Sequence, residues 1–62
     1  MIVGQRYVVR VKRSPSVRYT GRYIGDAPSP LHNEWSHVFG PVEECGVLVY
    51  VAENNFDSAD AV

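Results

Sequence analysis

Two stretches of alternating side chains constrain the fold of this chain more than any other feature. In residues 2–13 apolar and polar side chains largely take turns, and residues 17–24 repeat the pattern. A period of two places successive side chains on opposite faces of a β-strand. The Ser14-Pro15-Ser16 sequence between the stretches is typical of a turn. We therefore predict an antiparallel β-hairpin over residues 2–24.

The predicted hairpin has a tyrosine-bearing inner face and a basic outer face. A three-residue loop at its tip would place Tyr7 opposite Tyr23 and Lys12 opposite Arg18. Like charges that face each other across a β-ladder are destabilising, so we expect an acidic group or a partner to compensate. The predicted basic binding face consists of Arg6, Arg10, Lys12, Arg18 and Arg22.

Two further strands are predicted in the second half of the chain. Two prolines and a glycine in residues 25–34 oppose regular structure and predict a long loop. A third strand is expected at Trp35 to Phe39. Gly40-Pro41 then breaks the chain, and a turn at residues 43–46 leads into a fourth strand over residues 47–52.

The polar segment after residue 53 contains one large apolar side chain, Phe56. We expect a short turn that inserts Phe56 into the core, followed by a frayed acidic C-terminal tail within residues 54–62. Residues 1–53 are predicted to form the single domain. The chain is thus predicted to be an all-β protein, a small barrel of four to five antiparallel strands with a short C-terminal turn and tail.

Trp35 and Phe39 share one face of the predicted third strand. We favour a core position for both, because a domain of 62 residues needs large apolar groups to be stable. The alternative is that Trp35, which follows a proline-rich loop, lines a groove for extended or proline-rich peptides.

The order of the predicted elements is that of an SH3-like small barrel. Residues 13–25 and the ending Gly46-Val47-Leu48-Val49-Tyr50 resemble the plasmid-encoded type II dihydrofolate reductases, which are single SH3-like barrels that assemble as tetramers. In that family a Val-Gln-Ile-Tyr segment lines the active-site pore. Leu48 replaces the glutamine here, so the resemblance implies the fold and an assembly surface without the polar group that recognises the substrates.

The fourth predicted strand is apolar on both faces. One face of a small sheet normally meets solvent, so the second apolar face is expected to be covered by the tail or by another subunit. We therefore predict a self-association surface, and its residues are Val47, Leu48, Val49, Tyr50 and Val51.

Opposite charges occupy different parts of the chain. All six basic residues lie within the first 22 positions, all seven acidic residues lie from Asp26 onward, and the net charge is −1. Whole-protein attraction to a polyanion is therefore weak, and binding of one must be local. Three interpretations of the basic face remain open: pairing with Glu43, Glu44, Glu53 or Asp57 of the same chain, binding of an acidic protein, and binding of a nucleic acid backbone.

Catalytic and metal chemistry find little support in the sequence. His32, His37 and Cys45 show no metal-ligand spacing, and we predict no metal and no cofactor. Glu43 and Glu44 disfavour a Cys45 thiolate, whereas an acidic turn near His37 would make that histidine a pH-sensitive contact. A single cysteine and the lack of a membrane-spanning run predict a soluble, cytoplasmic protein without a membrane partner.

These observations predict a small non-enzymatic binding module. Its expected partners are a protein and further copies of itself, which would form a homo-oligomer through residues 47–51. The alternative is a nucleic-acid-binding module that uses the basic hairpin face. A second alternative, which the loss of the glutamine disfavours, is an oligomeric pore enzyme of the reductase type.

Overall fold

Five antiparallel strands and one short helical turn make up the fold. The computed structural model describes all residues from Met1 to Val62. The strands are β1 (Arg6–Val11), β2 (Arg18–Pro28), β3 (Trp35–Phe39), β4 (Val49–Ala52) and β5 (Phe56–Ala61), with a 3-10 turn (Glu53–Asn55) between β4 and β5. The predicted all-β class with four to five antiparallel strands is confirmed. No helix in the chain has the length and apolar character needed to cross a membrane.

The long strand β2 joins the two halves of the sheet. Its first half pairs with β1 and its second half with β3, and the register shifts between Tyr23 and Gly25. Gly25 has a φ of +138°, a conformation that a residue with a Cβ rarely adopts. The strand order is β4-β3-β2-β1-β5, so β4 and β5 are the two edges and the barrel-like sheet is not closed.

The core lies on the face that the alternation predicts. Tyr7 and Phe39 meet edge to face, with ring centroids 6.4 Å apart, and Tyr23 lies against the same Phe39 ring at 5.4 Å. In β1 every second residue is buried, as expected for a strand with one face in the core. The seven clustered core residues are Tyr7, Val9, Val11, Tyr23, Phe39, Val42 and Val51.

The hairpin forms, but its predicted register is wrong by two residues. Tyr7 lies opposite Gly21, and Arg10 lies opposite Arg18. The loop is longer than three residues, because β1 ends at Val11 and β2 begins at Arg18. Within this loop the Val17 N–H donates a hydrogen bond to the Ser14 carbonyl. A shift of two preserves the parity of every side chain, so the inner and outer faces are as predicted.

The prediction that the chain frays after Phe56 was wrong. Residues 56–61 form β5, which pairs with β1, and the Val62 N–H donates to the Arg6 carbonyl. Phe56 and Ala59 pack against the core, as expected for Phe56. The sheet therefore continues past the predicted domain boundary at residue 53 and includes most of the segment that was assigned to the tail.

The core prediction holds for Phe39 and was wrong for Trp35. Phe39 is fully buried, whereas the exposed fraction of Trp35 is 64%. Trp35 is the first residue of β3 and lies opposite Pro28, the last residue of β2, so it stands at the end of the sheet and outside the core. The strand itself has the predicted bounds, while β4 begins at Val49, two residues later than predicted.

Candidate functional site

The basic face carries two facing pairs of arginines. Arg6 lies opposite Arg22 and Arg10 lies opposite Arg18 in the β1–β2 ladder. Opposed residues of an antiparallel pair have Cα atoms about 4.5–5.5 Å apart, so each pair concentrates two positive charges. The structure thus brings together four of the five residues predicted for this face, and Lys12 follows directly after β1.

Arg6 is neutralised within the chain. Its Nε and a terminal nitrogen donate to the two carboxylate oxygens of Glu43, at 2.7 and 3.0 Å. Through this hydrogen bonding, and secondarily through the charge attraction, the pairing raises the pKa of Arg6 and lowers that of Glu43. This bidentate geometry is the strongest form of an arginine–carboxylate contact. It supplies the compensating acid that the sequence requires, at one of the two arginine pairs.

The neighbouring Glu44 is occupied by the backbone of β2. Its carboxylate accepts hydrogen bonds from the Thr20 N–H at 2.6 Å and the Thr20 hydroxyl at 2.7 Å, and the Glu43 N–H donates to the Thr20 carbonyl at 2.8 Å. These bonds, led by the one from the backbone, lower the pKa of Glu44. The turn after β3 therefore satisfies the edge of β2 where β3 has ended.

Close glycine packing fixes this turn against the hairpin. A Cβ built on Gly21 would lie 3.2 Å from both Cα and N of Gly40. Gly40 has a φ of +137°, and a Cβ on it would meet the Val47 carbonyl oxygen at 3.0 Å and the Leu48 Cα at 3.1 Å. Gly40 is thus enclosed between β2 and the segment that leads into β4.

Most of the basic face has no acidic partner. Of the four acids predicted to neutralise it, Glu43 pairs with Arg6, whereas Glu44 binds Thr20, Glu53 contacts His37, and Asp57 forms no ion pair. Arg22 donates to the Gly4 carbonyl at 2.7 Å. The basic residues with no ion pair are Arg10, Lys12, Arg13, Arg18 and Arg22. Intramolecular pairing thus accounts for one of the six cations.

His37 bridges two carboxylates. Its Nδ1 lies 2.8 Å from Asp26 Oδ1, and its Nε2 contacts a carboxylate oxygen of Glu53. The Tyr23 hydroxyl donates to the same Asp26 oxygen at 2.5 Å. The acidic partners of His37 are therefore not those of the 43–46 turn, which the sequence indicated. Since both ring nitrogens are engaged, neither is available to a substrate.

The contacts around Asp26 shift the pKa values of two groups. Hydrogen bonds from Tyr23 and then from His37 lower the pKa of Asp26. The hydrogen bond to Asp26, and secondarily burial, raises the pKa of Tyr23 to about 12. Tyr23 and Asp26 lie on β2, His37 lies on β3, and Glu53 begins the 3-10 turn, so these contacts tie the two strands to the chain that follows β4.

The predicted self-association residues separate into two groups. Val51 is 2% exposed and belongs to the core, and Val49 packs against that core. The Val51 side chain is therefore not available to a partner, which corrects the prediction for Val51, and Val49 is half-buried with its side chain on the core side. Val47 and Leu48 are 57% and 43% exposed, and Tyr50 is half-buried. An outward apolar strip therefore remains, and we define it as Val47, Leu48 and Tyr50.

A loop from the same chain adjoins this apolar strip. A cavity of about 490 Å³ lies between the loop residues 29–32 and the segment Leu48–Tyr50. Leu31 on that loop is 87% exposed. The sequence predicts that the C-terminal tail or another subunit covers the second face of this strand. The C-terminal segment instead forms β5 at the opposite edge of the sheet, and the residues that adjoin the strip are those of the 29–32 loop. Sequence reasoning did not single out Leu31.

Comparison of this chain with protein-family models, curated proteins and solved structures finds no match. No group of three or more His, Cys, Asp and Glu side chains is arranged to hold a metal ion. Cys45 is free and exposed. Two surfaces remain as candidates for a function: the apolar strip at β4 and the basic face.

Proposed function

We propose that this chain is a small non-enzymatic protein-binding module that self-associates through the edge of β4. The main support for this proposal is the difference in composition between the two edge strands of the sheet. The edge strand β5 bears Asp57 and Asp60, whereas β4 consists of Val49-Tyr50-Val51-Ala52 and has neither a charge nor a proline. Charged residues and prolines on an edge strand prevent pairing with other chains. Their absence makes β4 the edge that is open to a partner.

The apolar strip beside this edge supplies the side-chain contacts. Leu48 and Val47 are exposed next to the start of β4, and Tyr50 offers a ring with a polar end. Full burial of one such aliphatic side chain contributes about 1.5–3 kcal/mol, and Tyr is a residue type enriched at interfaces. Backbone pairing along β4 would give direction to the contact, and the strip would give it affinity.

A second copy of the chain is the partner that suits this edge best. Two copies of β4 related by a two-fold axis can pair antiparallel, so that each edge satisfies the other. A domain of this size buries only about 60% of the surface that its unfolded chain exposes, so assembly would add apolar burial to that of the seven clustered core residues. This proposal retains the assembly surface and the SH3-like relationship that the resemblance implies.

The engaged state of His37 supports the non-enzymatic part of the proposal. Both of its ring nitrogens contact carboxylates, and the Tyr23 hydroxyl is bound to Asp26. A general base needs a free nitrogen within reach of the substrate proton. A reducing, cytoplasmic setting would suit the exposed thiol of Cys45, which has no partner for a disulfide in its own chain.

Sedimentation velocity over a range of protein concentrations tests the proposal. The wild type should sediment as a species larger than 6.9 kDa at tens of micromolar. Leu48→Glu places a charge in the apolar strip and should give a monomer. Val62→Glu is the matched control, because Val62 is 58% exposed and follows β5 at the opposite edge. It should assemble like the wild type.

Two results would refute the proposal. One is a wild type that stays monomeric at every concentration. The other is equal dissociation by Leu48→Glu and Val62→Glu, since a general effect of added negative charge would then explain both. Far-ultraviolet circular dichroism of each variant separates lost assembly from lost folding.

A further inference from the structure

Four basic residues collect at the tip of the β1–β2 hairpin, away from the Arg6–Glu43 pair. Arg10 and Arg18 face each other across the ladder, and Lys12 and Arg13 follow β1 into the loop. None of the four forms an ion pair. We call Arg10, Lys12, Arg13 and Arg18 the tip cluster.

No acidic group of the chain forms an ion pair with the tip cluster. Glu43 binds Arg6 at the open end of the hairpin, and Glu44 binds Thr20 in the middle of the ladder. Asp26 and Glu53 bind His37. The neighbouring strand β5 places Ser58 directly opposite Arg10, while Asp57 falls at the bulge before it and Asp60 lies opposite Val8. A like-charge pair that the fold leaves uncompensated opposes stability. Such local conflicts are expected where a ligand supplies the missing charge.

Asn55 holds the backbone of the tip cluster in place. Its side-chain oxygen accepts the Arg13 N–H at 2.9 Å, and its carbonyl accepts the Lys12 N–H at 2.8 Å. The hairpin loop is thus fastened to the 3-10 turn, and the Val17 N–H closes it on the Ser14 carbonyl at 2.9 Å. Cations on an anchored backbone lose less conformational freedom when they bind a ligand.

We propose that the tip cluster binds the phosphodiester backbone of a nucleic acid and that Asn55 is its positioning residue. Three of the four cations are arginines, whose planar donors match phosphate oxygens in pairs. Tyr7 and Tyr23 are buried and Tyr19 packs on the core, so these tyrosines offer no platform for stacked bases. Recognition by the tip cluster is therefore electrostatic and independent of base sequence.

This site differs from the basic face that the sequence predicts. Arg6 is excluded because Glu43 occupies it, and Arg22 is excluded because its guanidinium donates to the Gly4 carbonyl at the other end of the hairpin. Arg13 is added, since its backbone is anchored and it has no acidic partner. The site also lies apart from the edge of β4, so its function does not depend on self-association.

Fluorescence anisotropy with a labelled oligothymidylate tests the inference on the full chain. Four phosphate contacts predict that log K falls against log salt with a slope of about −2.8, at about 0.7 per contact for a single strand. Arg18→Gln and Arg13→Gln should each weaken binding and reduce the slope by about 0.7. Arg22→Gln is the matched control, with the same change of charge on the same hairpin, and should leave the slope unchanged.

Asn55→Ala separates positioning from charge. It removes the side-chain acceptor of the Arg13 N–H and no cation, so affinity should fall several-fold while the salt slope stays near the wild-type value. If Asn55 does not position the tip cluster, Asn55→Ala should leave both the affinity and the salt slope unchanged, and this result would refute the positioning role. Leu48→Glu should bind the oligonucleotide normally, so the outcome does not depend on the assembly proposed above.

Three results would overturn the inference. The first is no binding at low salt by a folded wild type. The second is an equal loss of affinity in Arg22→Gln and Arg18→Gln, which would show that overall charge and not the tip cluster matters. The third is equal affinity for polyglutamate and the oligonucleotide, which would assign the tip cluster to acidic proteins instead.

Discussion

Replacing Gly21 by alanine should destabilise the protein, although the general effect of this change in a strand has the opposite sign. Glycine in a strand interior is unfavourable relative to alanine by about 0.5–1 kcal/mol, which would make Gly21→Ala stabilising. The added Cβ would, however, lie 3.1 Å from Val42 Cγ1 and 3.2 Å from Cα and N of Gly40. Favourable contacts between carbon atoms need about 3.5–4.0 Å.

The sign of the effect depends on whether Gly40 can retreat. The other side of Gly40 faces the chain that leads into β4. A Cβ built on Gly40 would lie 3.0 Å from the Val47 carbonyl oxygen and 3.1 Å from the Leu48 Cα, so little space is left on that side. Overpacking of this kind costs about 1–3 kcal/mol. Subtraction of the propensity gain of about 0.5–1 kcal/mol leaves a net loss of unfolding free energy centred on about 1 kcal/mol. For a domain of this size the melting temperature should fall by about 4–8 °C.

Urea unfolding followed by circular dichroism measures the effect of Gly21→Ala. Ala61→Gly at the exposed last residue of β5 is the reference variant, because it reports the propensity difference in the same sheet without the close contact. An unfolding free energy for Gly21→Ala equal to or above that of the wild type would refute the described packing of the turn against β2.

Three further predictions concern the core and the acid cluster. Because the folded pKa of Asp26 lies below its ordinary value of 3.8, its stabilisation is present above that pH and is lost as the pH falls through the folded value. The difference in unfolding free energy between wild type and Asp26→Asn, measured with urea, should therefore shrink below pH 3.8, and a difference that stays constant there would contradict this. The pKa of Tyr23 is raised from 10.0 to about 12, so the contribution of Tyr23 to the unfolding free energy is complete below pH 10 and fades toward pH 12. In a tyrosinate absorbance titration, the last ionisation step of the wild type should be missing from Tyr23→Phe. Ionisation of all tyrosines near pH 10 would contradict this. Val51→Ala should lower the unfolding free energy by about 2 kcal/mol, whereas Val47→Ala, at an exposed site, should change it by less than about 0.5 kcal/mol.

The parts of the fold that depend on local periodicity could be predicted from the sequence. The faces of the hairpin follow from the parity of Tyr7 and Arg10, which a register shift of two leaves intact. The bounds of β3 follow from its flanking glycine and prolines. The loop length could not be derived, because Ser14-Pro15-Ser16 is compatible with turns of several lengths.

The missed elements depend on tertiary contacts. The strand β5 has the charges and small residues that protect an edge strand, and the same composition is typical of a solvated tail. Trp35 and Phe39 share a face of β3, but Trp35 is exposed because it lies at the end of the sheet, whereas Phe39 is buried in the core. The position of the end of the sheet could not be derived from the sequence. The partners of Glu43 and Glu44 follow from how the turn docks on β2, which no spacing in the sequence indicates.

Amide hydrogen exchange at residue resolution, measured at low and high protein concentration, tests the role of β4 most directly. If this strand is where copies meet, the outward amides of Val49–Ala52 should exchange more slowly as the concentration rises, and the amides of Phe56–Ala61 should keep their rates. Rates in β4 that ignore concentration, or slowing confined to β5, would contradict the account.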